Sequence, residues 1–173
     1  IGQYYAKLVK AMGAYVIGVK RRASDRPECV DELCLTENLK DVLPRADVVM
    51  SVLPGTKATQ HIYSEEYFDS MKDSALFINC GRGNAVATDV LYKVLKEKKI
   101  TAAAVDVTEI EPLPADSKLW GLENLIITPH VCGGYHLPTT LSKIADIAAA
   151  NLKAYLANEQ LRNVVDFATG YKK

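Results

Sequence analysis

Three short stretches, far apart in the chain, carry side chains that could act together: Asn79-Cys80-Gly81-Arg82-Gly83, Glu111-Pro112-Leu113-Pro114 and Thr128-Pro129-His130. Each places one useful group, Arg82, Glu111 or His130, just after a run that reads as a buried β-strand. Ligands of open α/β sheets bind at such strand ends. A fixed cation, a carboxylate and an imidazole gathered there can bind a small acid and move a proton. Arg82 is permanently charged and shaped for bidentate contact, and its flanking glycines let backbone approach a ligand closely. His130 titrates near neutrality and suits a general acid or base. Pro129 fixes the backbone before it, and Gly133-Gly134 keep the space beside it open. A carboxylate bonded to that imidazole would select its tautomer and favour its charged form. Glu109 and Glu111 compete for the role. Of the other histidines, His61 reads as a partly exposed structural residue in a helical context, and His136 follows a glycine pair.

The elements that must position these groups alternate between apolar runs and helical patterns, the signature of βαβ units and a parallel sheet. A helical pattern spans Tyr4 to Met12 and closes at Gly13, and Tyr15 to Val19 reads as a strand. A charged stretch leads to a short strand near Leu33-Cys34-Leu35. Thr36 is placed to cap a helix running to Leu43, with Pro44 as its stop. Asp47 to Val52 is a strand, a helix includes Ser64 to Met71, and Ala75 to Asn79 is the next strand. Thr88 is expected to cap a helix to Lys98, whose last-turn lysines suit the helix dipole. Strands follow at Ala102 to Val107 and Leu125 to Thr128. A long helix from Pro138 to Ala157 precedes a tail from Leu161 to Phe167. The expected fold class is α/β: a Rossmann-type doubly wound parallel sheet in three α/β/α layers. Residues 1–160 are expected to form this one doubly wound domain and 161–173 a C-terminal tail.

The length of 173 residues suits one domain with a substantial core. A formal net charge of zero, with no basic excess, argues against a nucleic-acid partner. No apolar run is long enough to cross a bilayer, so no membrane partner is expected. Cys29, Cys34, Cys80 and Cys132 show neither a CxxC pair nor zinc spacing; they read as reduced thiols of a cytoplasmic protein. Cys80 and Cys132 flank the expected site and pack as small hydrophobes more readily than they act as nucleophiles.

A dinucleotide fold needs a strand, then GxGxxG, then a helix whose N-terminus holds the pyrophosphate. Only Gly2 is present here, ahead of the first helical pattern; the first strand and most of the glycine motif are missing from this chain. That strand would be central, and its loss leaves two unpaired edges. The expectation is therefore a complementing segment from another polypeptide, or a truncated piece. At the end of the second strand, where NAD-preferring domains carry an acid, stand Lys20, Arg21 and Arg22. Guanidinium groups would bind a 2′-phosphate that a carboxylate would repel. A solvated basic loop is the alternative, and NADP is narrowly favoured over NAD. Thr56 and Thr59 could add hydroxyls near the phosphates.

Taken in this order, with this punctuation, the three stretches resemble the D-isomer-specific 2-hydroxyacid dehydrogenases, over nearly the whole chain. The resemblance implies a hydride transfer between NAD(P)H and a small 2-oxo or 2-hydroxy acid. Arg82 would bind and polarise the substrate, His130 donate the proton, and Glu111 tune His130; the Pro112-Leu113-Pro114 run decides for Glu111 over Glu109. It also implies that Asp106 contacts the nicotinamide amide, that Leu53-Pro54 forms the adenine and ribose wall, and that Cys80, His130 and Gly133 line the cofactor. A homodimer built through this domain and a separate substrate-side domain follow from the same resemblance. Two other readings stay open: a cofactor-sensing, corepressor-like binding module of the same fold, and a fragment without turnover as it stands.

Overall fold

The computed structural model describes residues 1–133, 137–168 and 171–172. Gly134 and His136, both noted beside His130, lie outside the described residues. The chain divides into two compact units, Ile1–Pro129 and His130–Lys173. The division falls at the Pro129–His130 bond.

The first unit carries the sheet. Helix α1 (Gly2–Ala11) leads into β1 (Ile17–Lys20), which pairs in parallel with β2 (Glu32–Leu35). Helix α2 (Leu39–Val42), β3 (Val48–Ser51), α3 (Glu65–Asp69), β4 (Leu76–Asn79), α4 (Thr88–Lys96), β5 (Ala102–Val105) and β6 (Leu125–Ile127) follow. Strands β3 to β6 form a four-stranded parallel sheet in chain order. The result is a Rossmann-like α/β architecture whose sheet is drawn as two ladders. Strand β1 pairs with β2 and β3 with β4, with no ladder between β1 and β3.

Register decides which side chains enter the core. Val49, Phe77 and Ala103 stand level across β3, β4 and β5, and so do Ser51, Asn79 and Val105; all six are buried. Phe77 meets Tyr63 and Phe68 of the α3 region edge-on, with ring centroids 5.0 and 5.1 Å apart. Val94 and Leu95 of α4 complete this layer. Alanines along β5 leave room for close packing over the sheet centre. On the opposite face Val48, Leu76 and Ile126 are exposed. The apolar runs therefore alternate in burial, because α3 and α4 close one face only.

Two helix starts differ from expectation. Thr36 opens a 3-10 turn (Thr36–Asn38) instead of capping one helix, and the segment proceeds through short α2 into a second 3-10 turn holding Pro44. A proline without an N–H, so close behind, prevents a longer α-ladder. Thr88 is the first residue of α4, not its cap; Ala87 takes that place, and the orphan Thr88 N–H is satisfied from another loop. In the second unit, α5 (Pro138–Leu156) starts with proline in its first turn, and β7 (Val165–Asp166) pairs antiparallel with β8 (Tyr171–Lys172). None of the α5 residues is buried. Among the described residues, no helix is long and apolar enough to cross a membrane.

Candidate functional site

The turn after β4 is built around Asn79. Its buried amide accepts from the Gly81 N–H at 3.0 Å and donates to the Arg82 carbonyl at 3.1 Å. Both glycines of this turn are required by contact. A Cβ on Gly81 would lie 2.6 Å from the backbone N and O of Leu53, and one on Gly83 only 1.8 Å from the Thr108 carbonyl oxygen. The loops after β3, β4 and β5 thus touch backbone to backbone, leaving Arg82 exposed at the strand ends with its Nη1 donating to Gly81 O at 2.8 Å.

An open cleft of ≈ 320 Å³ lies over this junction, lined by Gly55, Arg82, Asn84, Thr108, Glu109 and Glu111. Arg82 and Glu111, predicted from separate motifs, border the same cleft. Glu111 accepts from the Thr108 N–H at 3.1 Å, and its peptide to Pro112 is cis. His130 is the first residue of the second unit, with φ +56.

The remaining predicted residues fall as follows. Asp106 is buried at the end of β5, where its carboxylate accepts the Thr128 hydroxyl at 2.5 Å. Cys80 is half-buried after β4. Leu53 packs partly against the core, and the Pro54 carbonyl accepts the buried Thr59 hydroxyl at 2.6 Å. Thr59 Oγ1 also accepts from the Thr56 N–H at 3.0 Å, so this hydroxyl organises the turn after β3. Lys20 ends β1 with its Nζ 2.5 Å from Ser24 Oγ, and Arg21 and Arg22 are exposed beside it. Gly2 begins α1; a Cβ there would press Val52 at 3.1 Å, so this helix end faces the end of β3. Gly133 is exposed in the second unit.

Three functional placements escape sequence reasoning. Asn79 organises the arginine turn; an Asn two residues before a Gly at a strand end is the available signal. Asn84 brings a buried side-chain oxygen without a hydrogen-bond partner to the cleft edge. Glu109 joins His61 at 2.6 Å and the Thr88 N–H at 2.7 Å. Burial raises the Glu109 pKa, but these two donors outweigh it and hold the carboxyl below its ordinary value. The helical context expected for His61 is not formed: a 3-10 turn ends at Thr59, and His61 turns to φ +51.

Residues 1–132 match the sequence profile of the D-isomer specific 2-hydroxyacid dehydrogenase NAD binding domain. The chain belongs to this family. It is 40% identical over 129 residues to glyoxylate/hydroxypyruvate reductase B of Escherichia fergusonii, covering 75% of this chain and 39% of that protein. A D-isomer specific 2-hydroxyacid dehydrogenase family protein of Aeromonas salmonicida superposes with TM-score 0.87 at 39% identity, over 96% of this chain and 52% of its own. The NADPH-dependent glyoxylate/hydroxypyruvate reductase of Sinorhizobium meliloti, solved with NADP and sulfate, gives TM-score 0.88 at 28% identity, over 98% of this chain and 54% of its own. The chain spans 31% to 55% of the length of the curated relatives named in these comparisons. As a dehydrogenase-family domain, its Arg82 turn and Glu111 turn sit at the strand ends where this architecture binds ligands.

The residues present fit a dinucleotide at several points. Helix α1 begins with no side-chain cap and no acidic residue in its first turn, which leaves its positive end open to a phosphate. Lys20 ends β1 with Arg21 and Arg22 directly after it, and buried Asp106 directly follows β5.

Proposed function

We propose that this chain is the cofactor-binding part of an NAD(P)-dependent D-2-hydroxyacid dehydrogenase, reducing a small 2-oxo acid to its D-2-hydroxy acid and catalysing the reverse. The observation that carries the reading is the common cleft of Arg82 and Glu111 in a chain of this family. Gly2 and the α1 terminus would hold the pyrophosphate, Lys20, Arg21 and Arg22 the adenosine phosphate, and Leu53 and Pro54 the adenine and ribose. Thr59, Cys80, Asp106 and Gly133 complete the cofactor contacts. NADP is narrowly preferred on the charge of the basic trio, and neighbouring structures solved with NADP support that choice. The bound nicotinamide supplies hydride.

The chain's own residues do the rest. Arg82 binds the substrate carboxylate through its fork of donors and polarises the carbonyl. His130 gives its proton to the developing alkoxide, and withdraws it in the reverse direction. Glu111 orients the imidazole and stabilises its charged form. A homodimer and a cytoplasmic location belong to the same proposal. The open edges of β1 and β3 support a complementing strand, from a preceding segment or another chain, and turnover is assigned to the completed assembly.

The test follows reduced-nicotinamide absorbance with a panel of 2-oxo acids in the intact parent protein, with NADH and NADPH side by side. Turnover that collapses in His130→Ala is expected, faster with NADPH. Tight cofactor binding without turnover on any acid would replace the dehydrogenase with a cofactor-sensing module.

A further inference from the structure

We propose that His61 and Glu109 form a positioning clamp that holds the Arg82 turn and the Glu111 turn together across the cleft. The proposal rests on the dehydrogenase reading above, and it assigns work to two residues that neither bind substrate nor exchange its proton. His61 and Glu109 are 48 positions apart, yet His61 Nε2 lies 2.6 Å from Glu109 Oε1. The second oxygen of Glu109 accepts the Thr88 N–H at 2.7 Å, at the start of α4. Both carboxylate oxygens are therefore engaged, which makes Glu109 an anchor between the two loops.

The backbone of His61 ties the same place from the other side. Its N–H donates to the Asn84 carbonyl at 2.7 Å, and the Tyr63 N–H donates to Ala85 O at 3.1 Å. The segment after β4 is thus gripped at Asn84 and Ala85 by one loop and at Thr88 by another. Between these grips and β4 lies Arg82, with Gly83 pressed on the Thr108 carbonyl one residue before Glu109. His61 holds a left-handed φ of +51, uncommon for a non-glycine residue, and its N–H and ring bonds hold it there. Glu109 keeps its charge at neutral pH because the Thr88 N–H and His61 outweigh the effect of burial. A guanidinium that must meet a carboxylate bidentately gains most from such fixing, since small misplacements of positioning groups cost large rate factors.

Three variants of the intact protein test the clamp. His61→Asn accepts the left-handed backbone but is too short to reach Glu109. His61→Gln carries an amide nitrogen about as far out as Nε2. Glu109→Gln removes the charge while keeping the shape. With NADPH and glyoxylate, His61→Asn and Glu109→Gln are expected to lose about ten- to a hundredfold in kcat, with the cofactor KM within twofold of wild type. His61→Gln should restore most of the loss, and hydrogen exchange at Asn84 to Thr88 should quicken in His61→Asn alone of the two His61 variants. A His61→Asn enzyme within twofold of wild type, or a loss that His61→Gln fails to restore, overturns the clamp while leaving the dehydrogenase standing. Wild-type protein without turnover on any 2-oxo acid overturns the dehydrogenase reading and the clamp with it.

Discussion

Asn79 and Gly83 show how single residues shape the site without touching a ligand. Asn79→Ala would leave the Gly81 N–H and the Arg82 carbonyl without their side-chain partner, each such loss costing about 1–3 kcal/mol where the group is buried. A lowered urea midpoint checks it, and a midpoint equal to wild type would show that water replaces the amide. Gly83→Ala places a methyl 1.8 Å from Thr108 O, so the loops must part, and a loss of about 1–3 kcal/mol or more is expected in the same assay. Away from the site, Arg45 donates to both oxygens of Glu32 at 2.8 and 2.5 Å. That hydrogen bonding holds the Glu32 carboxyl down to about 2, from an ordinary 4.5. A lowered folded-state pKa contributes stability that is complete above 4.5 and lost as pH falls from there towards 2. The gap in urea midpoint between wild type and Arg45→Met should therefore close over that window. A gap that persists at pH 2 would show that Arg45 acts through packing.

At the scale of elements, β4 is the centre of the first unit. Its Leu-Phe-Ile-Asn sequence sends Phe77 into the aromatic cluster with Tyr63 and Phe68, and the next inward residue is Asn79 itself. One strand therefore anchors the core and delivers the turn that carries Arg82. Phe77→Ala should cost about 3–5 kcal/mol through lost burial and a residual cavity. Thermal melting would register it, and a small change would mean that the α3 helix collapses onto the space. Helix α4 shows the reverse dependence. Its N-terminus has no cap of its own and is satisfied by Glu109, from the loop after β5.

For the whole molecule, the informative feature is a sheet in two ladders. A strand laddered on one side leaves its outward amides to water, which permits local opening at low free energy. Hydrogen exchange should be faster in β1, β2, β3 and β6, each laddered on one side, than in β4 and β5. Protection of β3 equal to that of β4 would mean that a further strand occupies the gap, as the complementing-strand proposal requires of the complete assembly. Helix α5 exposes Leu141, Ile144, Leu152, Tyr155 and Leu156.

Sequence by itself determined the α/β class, the positions of the strands to within a few residues, and the placing of Arg82, Asp106 and Glu111 at or after strand ends. These features are local: apolar period, proline and glycine punctuation, and charge at the end of a run are all written in neighbouring residues. Thr88 does not cap α4 because the acceptor for that helix start, Glu109, comes from another loop, and Thr36 opens only a short turn because Pro44 stands close behind. Tertiary structure alone decided that Glu109 meets His61, that Thr59 closes its own turn, and that Gly81 and Gly83 are fixed by contact with Leu53 and Thr108. Each of these pairs joins separate turns or reverses the chain on itself, and backbone contacts between loops have no period for a sequence to display.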